Sequence, residues 1–336
     1  IGSCVVTAIY KQFVIDEINK HNEPIILYGC ISKKIIDSTK GKNNITVIRT
    51  NQFNKHINET QLDSAEMTNL CHTYTMKTAS LNNRDYKVVT KLHQSFFQKI
   101  LNKPKPLPFL VIGQGCNSEC TFCHSKFYIG KIISLPTDAI LSEYKQLLEN
   151  NYNFIDIIAE NTGSYGLDAN TSLTDLLGLL DANTPNGSIK WMIDGLDPVW
   201  AVKYCTQLSS LIASKRITVI NLPVQSGNER ILSLMNRFSD VKSTINTLLT
   251  FRKLNPKLYL QGVFIIGFPS ETEEEFRDTL NFIEAIRFDD VTFIGYSDFD
   301  ICKSSKIEGK LSESTINERI ARGNKYLREI GIKYVR

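Results

Sequence analysis

No apolar run in this 336-residue chain approaches the roughly 18–20 residues that a membrane-spanning helix needs. The first residues lack the charged-then-apolar layout of a secretory signal. Internal repeats and low-complexity tracts are missing, so the chain reads as unique globular sequence. Strong charge of one sign is lacking too. Against 35 Asp and Glu, 39 Lys and Arg leave a formal net charge of +4, which is compatible with an RNA substrate but no argument for one. An initiating Met is absent, since the sequence opens on Ile1, and a fragment boundary is expected there. The composition that remains, 42% hydrophobic and 22% charged, is that of an ordinary globular protein long enough for a large domain and a smaller one. A soluble, cytoplasmic protein with no membrane partner is the expectation.

Eight cysteines stand at positions 4, 30, 71, 116, 120, 123, 205 and 302. A chain this long does not need disulfides to hold its core. Three of the eight crowd into 116–123, and in a reducing compartment that density reads as a metal site. Cys205 follows a helical apolar pattern and reads as core, Cys71 sits in polar sequence, and Cys302 has no role assigned by its neighbours.

An apolar run at Pro24–Cys30 reads as a buried strand, Ile45–Arg49 as a second, and Tyr10–Asn22 as a helix before them. Their alternation predicts a small α/β domain over residues 1–65. Residues 66–105 are polar and read as a connector ending in Pro104-Lys-Pro-Leu-Pro108. Beyond it, apolar runs recur at 109–112, 154–159, 189–193, 219–222, 258–266 and 291–294, with helical stretches between them. Six βα repeats predict an α/β fold, a parallel sheet curled into a partial (β/α)6 barrel over 106–300, with the chemistry at the C-terminal strand ends. Residues 301–336 are expected as a helical extension, its helix over Ser312–Ile330 turning Arg319, Arg322 and Lys325 to solvent.

Directly after the first barrel strand stands Gly115-Cys-Asn-Ser-Glu-Cys-Thr-Phe-Cys123, a C-x3-C-x2-C spacing. Three thiolates on one tight loop, from Cys116, Cys120 and Cys123, suit three irons of a [4Fe–4S] cube and leave the fourth iron open. An open iron accepts a small chelate, and the amino and carboxylate groups of S-adenosylmethionine (SAM) provide one. An electron passed from the cluster into the sulfonium then splits a carbon–sulfur bond and releases a 5′-deoxyadenosyl radical. The alternative is structural zinc with His124 as fourth ligand. Against it, zinc ligands usually come as two separated pairs, whereas these share one short loop.

Three further segments follow in order: Ala159-Glu-Asn-Thr-Gly-Ser-Tyr-Gly-Leu-Asp168, Leu222-Pro-Val-Gln-Ser-Gly-Asn-Glu-Arg-Ile-Leu232 with Met235-Asn-Arg237, and Phe264-Ile-Ile-Gly-Phe-Pro-Ser-Glu-Thr272. Together with the cysteine loop they resemble the radical SAM methylthiotransferases, and among these the branch acting on N6-threonylcarbamoyladenosine in tRNA. The resemblance implies a radical SAM barrel behind a small methylthiotransferase domain. It also implies a SAM site: Glu160 toward the SAM ammonium, Gln225 and Ser226 toward its polar groups, Arg237 toward its carboxylate, Phe122 beside the cluster or the adenine, and a Gly267–Pro269 turn that lets the adenine approach. Each has a plainer role as an alternative: strand end or helix cap for Glu160, loop capping for Gln225 and Ser226, surface charge for Arg237, packing for Phe122.

In that family an N-terminal domain holds a second, auxiliary [4Fe–4S] cluster on three cysteines. The segments around Cys4 and Cys30 resemble two of them, and the first has no counterpart, which the expected truncation accounts for. Tyr296–Ser305 departs from the usual Arg/Pro/Gly-Thr-Pro segment, and the small RNA-gripping barrel that normally follows the last helix is absent. The implied activity is insertion of a methylthio group at C2 of the modified adenosine next to the anticodon, with tRNA as partner and a reductant such as flavodoxin or ferredoxin. The alternatives are a peptide or protein substrate, and a zinc-stabilised RNA-binding module without catalysis.

Overall fold

Each of the six apolar runs between Phe109 and Ile294 forms a strand, and the strands stand side by side in sequence order. The structure is a computed structural model that describes residues 2–3, 19, 25–29, 41–42, 45–48, 108–150, 152–185 and 189–334. The chain divides into two compact units, 1–106 with 125–131, and 107–124 with 132–336.

In the first unit, β1 (Gly2–Ser3), β2 (Ile25–Gly29) and β3 (Ile45–Ile48) make a parallel sheet in that order, with Ile25 opposite Ile45 and Gly2 opposite Tyr28. Both strands expected in this region are present. Cys4, Cys30, Cys71, the connector 66–105 and all but Asn19 of the helix expected over 10–22 lie outside the described residues.

The second unit begins with β4 (Phe109–Val111) and a short hairpin of β5 (Gly113–Gln114) and β6 (Ile133–Ser134). Then come β7 (Phe154–Ile158), β8 (Lys190–Ile193), β9 (Ile217–Gln225), β10 (Tyr259–Ile266), β11 (Asp290–Gly295) and β12 (Lys333–Tyr334). All but the hairpin strands join one seven-stranded sheet, order β12-β11-β10-β9-β8-β7-β4, every pairing parallel. Parallel neighbours require crossover connections. These are supplied by α1 (Thr137–Glu149), α2 (Leu173–Ala182), α3 (Pro198–Lys203), α4 (Cys205–Ala213), α5 (Glu229–Leu234), α6 (Val241–Leu254), α7 (Glu273–Ile286) and α8 (Glu313–Glu329). Among the described residues no helix is long and apolar enough to cross a membrane.

Side chains alternate across a strand, and the sheet's two faces differ accordingly. Ile155, Ile157, Trp191, Ile193, Leu260, Phe264 and Ile266 join the core under the helices. Phe264 meets Phe282, Phe288 and Phe293 edge-on, at ring-centroid distances of 6.1, 5.8 and 6.3 Å. Asp156, Met192, Asn221 and Gln261 take the alternate positions, on the opposite face.

One expectation for the C-terminal region changes. Residues 301–336 cluster in the same compact unit as the sheet strands. Here β12 extends the sheet, Lys333 opposite Asp290, because α8 packs back on the sheet as an eighth crossover helix. Arg319 is not on a solvated face. Its side chain is 7% exposed, and Nη1 donates to Glu271 Oε2 at 2.8 Å. The helix turns Arg319 inward to meet that buried carboxylate, while Arg322 and Lys325 do face solvent.

Candidate metal centre

The cysteine loop leaves β5 at Gly115, whose φ of +82° is a left-handed conformation that suits glycine. Its N–H donates to Glu160 Oε2 at 2.9 Å, at the C-terminal end of β7. Asn117 Oδ1 accepts from the Ile132 N–H at 3.1 Å where the chain re-enters the hairpin. The C-terminal end of α5 holds the middle of the loop. Thr121 N–H donates to Met235 O at 3.0 Å, Thr121 Oγ1 to Leu234 O at 2.8 Å, and Asn236 Nδ2 to Glu119 O at 3.0 Å. A turn beyond β11 braces the other side, with Ser304 N–H on Thr121 O at 3.0 Å and Cys302 Sγ on Phe122 O at 3.4 Å. The Phe299 ring of that turn stacks on His124, 4.4 Å between centroids.

Cys116, Cys120 and Cys123 are free thiols. Polar donors approach two of their sulfurs. Cys116 Sγ accepts from Ser118 N–H at 3.3 Å and Asn161 Nδ2 at 3.8 Å; Cys120 Sγ accepts from Arg237 Nη1 at 3.6 Å. Cys120 is buried, and desolvation pushes its pKa up against the opposing pull of the Arg237 guanidinium. Donors aimed at sulfur fit thiolates that carry negative charge on a metal cluster. Among the described residues no three His, Cys, Asp or Glu side chains gather round a single-ion position. A mononuclear set of the three cysteines and His124 is therefore not assembled. A cube takes each thiolate on its own iron and does not require them to converge on one point.

The Radical SAM superfamily profile matches residues 110–283, just over half of the chain. This chain belongs to the radical SAM superfamily. Within that superfamily it is related to methylthiotransferases. It is 32% identical to the tRNA-2-methylthio-N(6)-dimethylallyladenosine synthase of Erythrobacter litoralis, over 66% of this chain and 50% of the relative. Identity to the ribosomal protein uS12 methylthiotransferase RimO of Colwellia psychrerythraea is 29%, over 65% of this chain and 50% of the relative. The chain thus spans about half the length of the curated relatives it matches. Among solved structures, the radical SAM methyltransferase TsrM from Kitasatospora setae superposes with a TM-score of 0.50 at 14% identity, covering 59% of this chain and 38% of that one, a likeness of fold alone.

This radical SAM chain gathers several of its expected site residues at the C-terminal strand ends. Glu160 follows β7 and its residue as a whole is exposed to solvent, while its carboxyl takes the Gly115 N–H. Desolvation there raises its pKa, against the lowering effect of its own backbone N–H and that of Gly115. Gln225 ends β9 with a left-handed φ of +77°. Ser226 is fully buried, its Oγ meets Thr279 Oγ1 at 3.3 Å, and it accepts from Asn228 N–H at 3.2 Å. That is the loop-capping alternative. Phe122 packs with Ile231, Met235 and Phe268.

Arg237 is not a surface charge. Its Nη1 lies 2.6 Å from Asp197 Oδ2 and its Nη2 donates to Pro223 O at 2.6 Å, both side chains being buried. Pro269 is buried in the turn after β10, and Gly267 there has a φ of +80°. A Cβ on Gly267 would meet Ile316 Cγ1 at 2.4 Å, so the space beside it is filled by α8 rather than held open for a ring.

Three residues of the site went unpredicted. Asn161 reaches both Cys116 Sγ and Ser118 Oγ, the latter at 3.0 Å, and directly follows Glu160 in the motif. Asp197 precedes Pro198 and caps α3, Oδ1 accepting from Val199 N–H at 3.3 Å. An Asp-Pro pair signals a helix start, but nothing in it announces a partner at Arg237. Cys302 is buried beneath the loop.

Proposed function

We propose that this chain is a radical SAM methylthiotransferase that inserts a methylthio group at C2 of an N6-threonylcarbamoyladenosine beside the tRNA anticodon. The observation that carries methylthio transfer is the pairing of the Cys116/Cys120/Cys123 loop with relatives that are methylthiotransferases on both of the matched types of substrate. The choice of tRNA rests on the Ala159–Asp168 segment, which resembles the threonylcarbamoyladenosine branch, and on the 32% identity to a tRNA enzyme.

Cys116, Cys120 and Cys123 would hold the [4Fe–4S] cluster, with SAM bound beside it. When bound, cluster and SAM together supply the electron and the sulfonium from which a hydrogen-abstracting radical arises. The chain's own residues position that chemistry. Glu160, at the mouth and anchored by the Gly115 N–H, accepts the SAM ammonium. Gln225 offers its amide at the end of β9, Phe122 walls the loop with its ring, and Gly267 and Pro269 shape the turn beneath. Cys4 and Cys30 serve the auxiliary [4Fe–4S] cluster that carries the sulfur. The electron donor is a low-potential protein such as flavodoxin or ferredoxin.

The full-length protein, reconstituted anaerobically, is incubated with tRNA from a strain lacking the modification. A gain of about 46 Da on the adenosine next to the anticodon, one methylthio group replacing hydrogen, is the expected result. No gain on tRNA, with the same gain on a ribosomal protein, sinks the RNA assignment. The protein-substrate reading has its own support in the 29% identity to a ribosomal protein methylthiotransferase.

A further inference from the structure

One cation touches both a cluster-ligand cysteine and a buried carboxylate. Arg237 follows α5, its backbone N–H donating to Leu232 O at 2.9 Å, and its guanidinium enters the space between β8, β9 and the cysteine loop. Nη1 is shared: 2.6 Å from Asp197 Oδ2 and 3.6 Å from Cys120 Sγ. Nη2 is fixed on Pro223 O at 2.6 Å. The guanidinium and the Asp197 carboxylate are 8% and 7% exposed, so water screens neither charge effectively. Asp197 is in turn fixed by Val199 N–H at 3.3 Å, at the start of α3. Thus sulfur, guanidinium and carboxylate form a row of contacts near the C-terminal ends of two strands.

From this geometry we infer that Arg237 and Asp197 are positioning residues that set the reduction potential of the cluster bound by Cys120. The inference rests on the assignment of Cys116, Cys120 and Cys123 as cluster ligands. Reduction adds one electron from an external low-potential donor, forms or breaks no bond to the protein, and makes the cluster more negative by one charge. A cationic N–H directed at a ligand sulfur stabilises that added charge and raises the potential. The carboxylate behind it does the opposite, offsetting the cation and lowering the potential while holding the guanidinium fork on the sulfur. Poor hydration on both sides makes each effect larger than surface charges give.

This role differs from that of an arginine that serves only the SAM carboxylate. Such a residue influences the cluster only when SAM is present. The Asp197 and Cys120 contacts are made by the chain alone, so their effect persists without SAM.

The test measures the cluster's reduction potential by dithionite titration, followed by electron paramagnetic resonance, on the anaerobically reconstituted full chain without SAM. Iron content and urea midpoint are measured alongside. Arg237→Gln keeps a polar donor but removes the charge, and the reduced fraction at a fixed potential should fall about tenfold, ~59 mV lower for one electron. Asp197→Asn keeps an acceptor for the guanidinium but leaves its charge uncompensated, and the potential should rise by a similar amount.

Opposite shifts at equal iron content support the inference. Unchanged SAM-free potentials, or shifts of the same sign as from a loosened loop, overturn it. A wild-type chain that binds no iron overturns the ligand assignment together with it, and is told apart by the metal analysis alone. Should Arg237→Gln fail to fold, the sign at Asp197→Asn decides: a rise supports, a fall or no change overturns.

Discussion

Arg319 Nη1 and Glu271 Oε2 stand 2.8 Å apart, joining α8 to the turn after β10 across 48 residues of sequence, with the Glu271 side chain wholly buried. The Gly267 N–H, 2.8 Å away, shares the same oxygen, and burial still raises the Glu271 pKa to about 7. Removing one member of a buried pair strands the other's charge. Arg319→Met should therefore destabilise the chain by about 3–5 kcal/mol in urea unfolding. The double change with Glu271→Leu should recover part of the loss, because the orphaned carboxylate goes with it. A double variant no better than Arg319→Met alone would contradict this account.

The same carboxyl predicts a pH dependence. Its folded pKa of about 7 lies above the unfolded value of 4.5, so between those values the folded state binds more protons. Stability from this group is fully present below the unfolded pKa and declines as pH rises through the folded one. Wild type should lose on the order of 3 kcal/mol over that window relative to Glu271→Gln, whose unfolding free energy lacks the slope. Parallel curves for the two proteins would rule the effect out.

Asp156 lies in the middle of β7, fully buried, with no hydrogen-bond partner for either carboxyl oxygen among the described residues. Desolvation chiefly, and the nearby Asp194 second, raise its pKa well above the ordinary carboxylate range. Asp156→Val should stabilise the fold by about 1–3 kcal/mol, since the cost of an unsatisfied buried carboxyl disappears. The gain should grow as pH rises above the unfolded carboxylate pKa, because folding then requires the wild-type group to take up a proton. Equal or lower stability of the variant at neutral pH would show that Asp156 is satisfied in solution.

How far the sequence foretold this structure follows from which forces write themselves locally. Strands such as Phe154–Ile158 are buried on both faces, and parallel strands of that kind read as continuous apolar runs. The start of α7 escaped the sequence reading, although Thr272 and Glu275 form a local capping box there, at 3.3 and 2.8 Å. The spacing of the cysteine triplet pointed to the superfamily whose profile covers it. Arg319, Arg237 and Asp197 were opaque because their partners come from distant elements, and an arginine on an amphipathic helix looks solvated until its neighbour is known. The short strand Lys333–Tyr334 is too brief to show a period.

Gly267 provides a test of packing against ligand access. Its φ of +80° and the 2.4 Å approach of a would-be Cβ to Ile316 Cγ1 both oppose a side chain there. Gly267→Ala should cost about 1–3 kcal/mol from backbone strain, with more from overpacking. Adding Ile316→Val should relieve the steric part and leave the strain. If the glycine served ligand access alone, the alanine variant would keep its unfolding midpoint and lose SAM affinity, and Ile316→Val would rescue nothing.

The proposed cluster ligands can be told apart from the other described thiols by iron content. Replacing Cys116, Cys120 or Cys123 with Ala should each remove about four iron and four sulfide per chain. Cys205→Ala should leave both counts unchanged. Cys302→Ala is the informative control, because its sulfur donates to Phe122 O, within the loop itself, at 3.4 Å. The other braces on the loop, from Ser304, Met235, Leu234 and Asn236, remain in that variant. Its iron should therefore stay at the wild-type level, with faster cluster loss under air as the only expected change. Iron lost from Cys302→Ala to the same extent as from Cys120→Ala would make Cys302 part of the cluster site, not merely part of its support.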